Sequence, residues 1–168
     1  MGTKTSIILT EDKIFRILRR ISTQIIENNH EVLRLFLVGI NGQGFQMATL
    51  LKNQLQLIKP DLNCQLAELI IDKKDPVSSQ IKLSIDLKEL ERETVILVDD
   101  VLNTGKTQAY SISYLLQVAI SKLETAILID RSHKLFPISA SYFGLALSTT
   151  IKEHVEVNLE SSKGAFLY

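Results

Sequence analysis

Charge of one sign, cysteine and long apolar runs are scarce in this chain of 168 residues. Lys and Arg number 19 and Asp and Glu number 19, so the formal net charge is zero. That balance gives no general electrostatic reason to expect a nucleic-acid partner. The one cysteine, Cys64, excludes an intramolecular disulfide framework and any cysteine-rich metal site. It is read as a buried, inert thiol. Three histidines, His30, His133 and His154, are too scattered for a metal signature. No apolar run reaches transmembrane length, and the first, SIILTED, is short and soon acidic, unlike a secretory signal. No membrane partner is expected, and the cytoplasm is the expected location. The opening MGTKTS fits only the loose Gly2/Ser6 pattern for myristoylation, which also needs a host that carries out the modification.

What is present is an ordinary globular mix, 45% apolar and 23% charged, at a length that suits one domain over 1–168. Residues 11–29 predict a helix, with Ile14, Ile17, Leu18, Ile21 and Ile25 on one face and Thr10 as its N-cap. RLFLVG predicts a buried strand ending at Gly39, followed by a loop and a helix in FQMATLLKNQLQL. NCQLAELII predicts a third element, a strand, before a polar break around Pro76. QIKLSID alternates as an outer strand does, and ETVILV has the continuous apolar run of a central one. A helix over TQAYSISYLLQVAI and a strand over ETAILID follow, then strand-like pieces in SYFGLAL and HVEVNLE. Alternation of strands and helices implies an α/β fold with a mainly parallel central sheet flanked by helices, and a small hood.

Two glycine loops follow strands directly, where ligands of open α/β sheets bind. The first is Gly39-Ile40-Asn41-Gly42-Gln43-Gly44; the second is Asn103-Thr104-Gly105-Lys106-Thr107. Both precede helices, whose N-terminal N–H groups favour anions. The second is not a Walker loop, because Asp100 stands where that motif needs glycine. The first is not GxGxxG either, since the pattern from Gly42 would end at Met47, and a simple helix-packing turn also accounts for it. The second segment carries more information. Asp99 and Asp100 close a strand, and paired carboxylates accept hydrogen bonds from vicinal hydroxyls or help hold Mg²⁺. Thr104 to Thr107 then offer backbone donors and hydroxyls to a terminal phosphate. Hydroxyls on the acids and phosphate on the loop suit a sugar phosphate.

VILVDDVLNTGKT resembles the phosphoribosyl pyrophosphate signature of type I phosphoribosyltransferases. Across nearly its whole length the chain is similar to the pyrimidine-operon attenuator/uracil phosphoribosyltransferase branch, through ILTEDKIFRILRRISTQIIENN, LFLVGINGQGFQMATLL, AILIDRSHKLFPISASYFG and HVEVNLE. The resemblance implies that Asp99 and Asp100 engage the ribose hydroxyls and that Asn103 to Thr107 wrap the 5′-phosphate. It makes Ile40, Asn41, Gly42, Gln43 and Gly44 the pyrophosphate loop, and puts Arg131, Tyr142 and Phe143 at the base. It implies Mg²⁺ carried on ligand oxygens, without a dedicated protein cage. The implied ligands are phosphoribosyl pyrophosphate or a nucleoside monophosphate and a nucleobase, and the implied assembly is a homodimer. The implied activity is phosphoribosyl transfer to a base with release of pyrophosphate; the alternative is a catalytically weak or inactive regulatory protein that binds nucleotides.

Three features depart from the family pattern. The first loop has no positive side chain, where the family has a stretch such as Gly-Ile-Lys-Thr-Arg-Gly. The connection between LIID and the signature strand is short, with Lys73 and Lys74 as its nearest basic residues. Asn103 stands where many purine-specific relatives have a carboxylate, and it cannot be a general base. His133 lies next to the expected base pocket, while His30 and His154 are expected to be structural or solvated. Arg16, Arg19 and Arg20 form a helical patch read as a solvated face, so RNA is not an expected partner.

Overall fold

A computed structural model describes residues 6–148 and 153–168, so Gly2 of the myristoylation pattern lies outside the described residues. Strand β1 (Ser6–Thr10) leads into helix α1 (Glu11–Asn28), β2 (Arg34–Ile40), α2 (Gln43–Ile58) and β3 (Asn63–Ile70). A two-residue β4 (Lys82–Leu83) and a short 3-10 turn (Leu87–Leu90) precede β5 (Thr94–Leu102). Helix α3 (Lys106–Leu115), β6 (Lys122–Asp130), β7 (Tyr142–Ala146), β8 (Val155–Asn158) and β9 (Gly164–Leu167) complete the order.

The strands form two sheets, a six-stranded one in the order β4-β3-β2-β5-β6-β7 and a three-stranded one in the order β1-β9-β8. β3, β2, β5, β6 and β7 run parallel, and only β4 joins the larger sheet antiparallel. This is an α/β fold with a mainly parallel central sheet flanked by helices, as the sequence predicts. The smaller sheet is the hood expected from the sequence.

Alternation along the central strands explains their unbroken apolar runs. Leu35 and Leu37 of β2 and Ile96 and Val98 of β5 share a core with α1 and α2. Phe36 and Val38, with Val95 and Leu97, belong to the opposite core, with Tyr110, Ile112 and Leu115 of α3. Both faces of the sheet are therefore dry, as parallel pairing under helices requires. The α1 stripe is in place: Ile14, Leu18, Ile21 and Ile25 are buried and Ile17 packs against them. Thr10 caps α1 by accepting the Lys13 N–H at 3.4 Å.

Several sequence expectations change at element ends. Helix α3 stops at Leu115, short of the expected 120, and its last turn loosens into contacts such as Val118 N to Leu115 O at 3.5 Å. QIKLSID supplies only two paired residues, as an edge on β3. β1 and β9 were not expected as strands; they pair antiparallel from Ser6↔Leu167 to Thr10↔Gly164. Arg20 is not simply solvated. Its guanidinium donates to Phe143 O at 3.1 Å and Gly144 O at 2.8 Å, and so covers the outer edge of β7. Arg16 pairs with Asp12 at 3.0 Å on the exposed side of α1.

Two substitutions on α1 test this packing. Ile21→Ala removes a fully buried side chain and should cost about 2–5 kcal/mol in urea denaturation. Phe15→Ala, at a position 52% exposed, should cost no more than about 1 kcal/mol.

Candidate functional site

Both glycine loops lie at one edge of the sheet. Gly39 pairs with Val98, the residue before Asp99, so the first loop starts level with the acid pair on the adjacent parallel strand; the two acids do not close that strand, which runs on through its pairing with β6 to Leu102. Their contact is intimate. A Cβ on Gly44 would stand 2.9 Å from Asp99 Oδ1 and 3.0 Å from Val98 O, closer than side-chain carbons come. Glycine is required there to let the first turn of α2 rest on the acid.

The two loops share a helix-start geometry that α1 lacks. Gly42 and Gly105 are the N-caps of α2 and α3, and neither helix start has a side-chain cap. Gly105 takes φ +82°, in the left-handed region that glycine tolerates best. Thr104 Oγ1 accepts the Lys106 N–H at 3.3 Å and shapes the turn. First-turn N–H groups behind a glycine N-cap are of the kind that favours anions.

Asp99 is buried and fully engaged. Its Oδ2 accepts from Gln108 Nε2 at 2.9 Å; its Oδ1 accepts from Lys73 Nζ at 2.9 Å and from the Asp100 N–H at 3.0 Å. Lys73 Nζ also lies 3.6 Å from Asp100 Oδ1. Burial, and then the neighbouring Asp100 charge, raise the Asp99 carboxyl above its ordinary value, against the opposing pull of Lys73. Burial works against the charged Lys73 ammonium, but the two carboxylates outweigh it and raise its pKa. Both β5 acids are thus held beside one lysine, contributed by the short connection after β3. Gln108 was not among the residues expected at the site. It lies two residues past Lys106, on the α3 face turned to β5, and only the packing of α3 shows which face that is.

The side chains of the first loop hold the architecture together. Asn41 donates its N–H to Leu69 O at 2.8 Å and accepts the Ile71 N–H on its Oδ1 at 3.0 Å. Gln43 Oε1 accepts the Leu159 N–H at 2.8 Å and ties the hood to the start of α2. Ile40 is buried in the core. The loop therefore faces a ligand mainly with backbone.

Asn103, Thr104 and residues 131–135 line a cleft of about 490 Å³. His133 is among them. Arg131 is buried, donating to Asn103 Oδ1 at 2.9 Å and to Glu153 O at 2.6 Å. Lys134 pairs with Asp130 at 2.9 Å. Lys106 and Thr107 begin α3 behind Gly105, and the Thr107 carbonyl accepts the Ser111 hydroxyl at 2.8 Å. Asp99 and Asp100 are not among the residues that line this cleft. Tyr142 and Phe143 are not brought to it either. Tyr142 is buried, its hydroxyl accepting from Asn28 Nδ2 at 3.2 Å at the far end of α1, and burial pushes that hydroxyl up to about 12. Phe143 is 45% exposed on the edge strand. Of the remaining singled-out residues, Cys64 is buried and burial pushes its thiol up to about 11. His30 follows the end of α1, with its Nδ1 3.3 Å from Glu27 O, and His154 pairs its backbone with Tyr168.

Comparison with known proteins fits this arrangement. Residues 4–162 match the phosphoribosyl transferase domain. The chain belongs to the phosphoribosyl transferase family. Within that family it is homologous to bifunctional PyrR, of the pyrimidine-operon attenuator branch, across most of its length. It is 34% identical to the Bifunctional protein PyrR of Haemophilus ducreyi over 94% of this chain and 92% of that one. It is 33% identical to that of Fusobacterium nucleatum over 98% and 96%. Among solved structures, the hypoxanthine phosphoribosyltransferase of Trypanosoma cruzi superposes with a TM-score of 0.81, at 15% identity, over 96% of this chain and 95% of that one. A hypoxanthine-guanine phosphoribosyltransferase of Bacillus anthracis superposes at 0.71, with 16% identity, over 86% and 84%. These last two likenesses show the fold.

The raised Asp99 pKa has a defined consequence. A carboxyl whose folded pKa exceeds its unfolded value, here 3.8, gives stability that is complete below 3.8 and lost as pH rises through the folded value. Asp99→Asn removes that ionisation. The stability of wild type relative to the variant should therefore fall as pH rises from 3.8 toward the raised value, as read by urea denaturation at a series of pH values. A pH-independent difference would contradict the assignment.

Proposed function

We propose that this protein binds phosphoribosyl pyrophosphate or a nucleoside 5′-monophosphate as a regulatory protein, with phosphoribosyl transfer weak or absent. One observation carries the reading. Asp99, Asp100 and the residues Asn103 to Thr107 are all present in one stretch, whereas the first loop has neutral side chains and uses Asn41 and Gln43 to bind β3 and the hood. The 5′-phosphate would sit on the N–H groups of residues 104–107, with the Thr104 and Thr107 hydroxyls beside it. Asp100, the more open of the two acids, would accept the ribose hydroxyls together with Asp99. The base would enter the cleft by Asn103, Arg131 and His133. Homology to proteins named bifunctional PyrR supports a regulatory role on this fold.

Mg²⁺ is compatible with these donors. Carboxylates are hard oxygen ligands, and the ion characteristically takes one or two of them and completes its shell with phosphate oxygens and water. Among the described residues there is no group of three or more His, Cys, Asp or Glu side chains placed to hold a metal. Asp99 and Asp100 are the side chains that would meet it, and the ion would supply charge neutralisation at the diphosphate. Resemblance favours a homodimer, which sedimentation tests. Among the described residues, no helix is long and apolar enough to cross a membrane.

The second reading is efficient catalysis, favoured by the intact signature around Asp99 and Asp100. In that reaction the bond from the anomeric carbon to pyrophosphate breaks as a base nitrogen bonds to the same carbon. Positive charge develops on the ribose ring. Few charged hydrogen bonds are available at the first loop for the departing group.

The deciding experiment mixes protein, Mg²⁺ and phosphoribosyl pyrophosphate with uracil, hypoxanthine, guanine, xanthine or adenine, and assays pyrophosphate and nucleotide. Calorimetry should detect ligand binding more readily than the assay detects turnover. The Asp99→Asn/Asp100→Asn double variant should lose affinity by about 10–100-fold, the range for hydrogen bonds to charged groups. Rapid turnover abolished in that variant would favour the second reading. No binding of either ligand would overturn both.

A further inference from the structure

We propose that Lys73 is a tethered counter-charge with two positions, on the Asp99–Asp100 pair before ligand enters and on the diphosphate of a bound sugar diphosphate. The inference rests on the ligand reading above and names the residue that sets which ligand is preferred.

Lys73 Nζ occupies the join between the two halves of the site. It lies 2.9 Å from Asp99 Oδ1 and 3.6 Å from Asp100 Oδ1. The same Asp99 oxygen is the atom that the first turn of α2 approaches at Gly44. An ammonium there covers the carboxylates that ribose hydroxyls would use, and it stands beside a loop that has no positive side chain.

The backbone carrying Lys73 is tied to that loop. Asn41 grips Leu69 O and the Ile71 N–H, and Lys73 follows two residues after Ile71. Beyond it the connection folds on Asp72, whose Oδ1 accepts the N–H groups of Lys74 at 2.8 Å and Asp75 at 3.3 Å. Ser79 Oγ in turn accepts the Asp72 N–H at 3.3 Å. The root of the side chain is fixed, while its four-carbon stem is flexible and its three N–H donors serve carboxylate or phosphate oxygens equally well. The side chain is 40% exposed, so a short swing needs no rearrangement of the core. A diphosphate arriving at the α2 N-terminus would bring negative charge next to two carboxylates. Transfer of Lys73 to it relieves that repulsion and frees the acids for the ribose in one movement.

Opposite effects on two ligands follow. Ribose 5-phosphate needs the acids but has no diphosphate, so Lys73 only competes with it. Phosphoribosyl pyrophosphate needs both, so Lys73 helps it. Lys73→Met should tighten ribose 5-phosphate by about 3–10-fold and weaken phosphoribosyl pyrophosphate by about tenfold or more, the scale of one charge-assisted hydrogen bond. Calorimetry on wild type, Lys73→Met, Lys73→Gln and Lys73→Arg reads this directly, with Lys73→Gln as the neutral variant of better solubility. Lys73→Arg, which keeps the charge, should retain the wild-type preference. Equal affinities in wild type and both neutral variants, or shifts of the same sign for both ligands, would overturn the role of Lys73 and leave the ligand reading intact. Absence of binding by either ligand to every form would instead overturn the ligand reading, and this inference with it.

Discussion

A buried carboxylate needs partners, and most of the site is arranged to supply them to Asp99. Three separate segments meet on its two oxygens. Gln108 comes from α3, Lys73 from the connection after β3, and the first turn of α2 approaches at Gly44 with no side chain between. An uncompensated charge at that depth would cost several kcal/mol, so each partner constrains the element that carries it. The two glycine loops are therefore not independent turns that happen to be neighbours. They are held in register by one acid.

Much of this was legible in the sequence because it depends on local pattern. The apolar runs of β2, β5 and β6 and the stripe on α1 have periods that a single segment displays. Asp99, Asp100 and residues 103–107 form one contiguous stretch. Other features have no local signature. β1 and β9 are short and become strands only through each other, from opposite ends of the described chain. Tyr142 and Phe143 adjoin in sequence but leave β7 on different faces, and neither turns to the cleft. Arg20 looks like one of a row of solvated cations until the β7 carbonyls are placed under it. Gln108 reads as an ordinary helix residue unless the face of α3 turned to β5 is known.

The neutral first loop is explained by what its side chains do. Asn41 and Gln43 stand where the resembled family carries basic side chains, and each makes a fixed hydrogen bond to another element. Replacing them with lysine or arginine would add charge but would remove a tie to β3 or to the hood. Rigidity of the loop and charge at the loop are alternatives in this geometry.

The hood also sets an order of events during synthesis. β9 is the central strand of that small sheet, with β1 on one side and β8 on the other. β1 leaves the ribosome early, yet it has no strand partner until residues 164–167 follow. The parallel core can assemble while its roof is still open. The loop from Gln43 to Leu159 is then closed by a segment made after the whole parallel core, which makes the roofing of that sheet edge a late, long-range step.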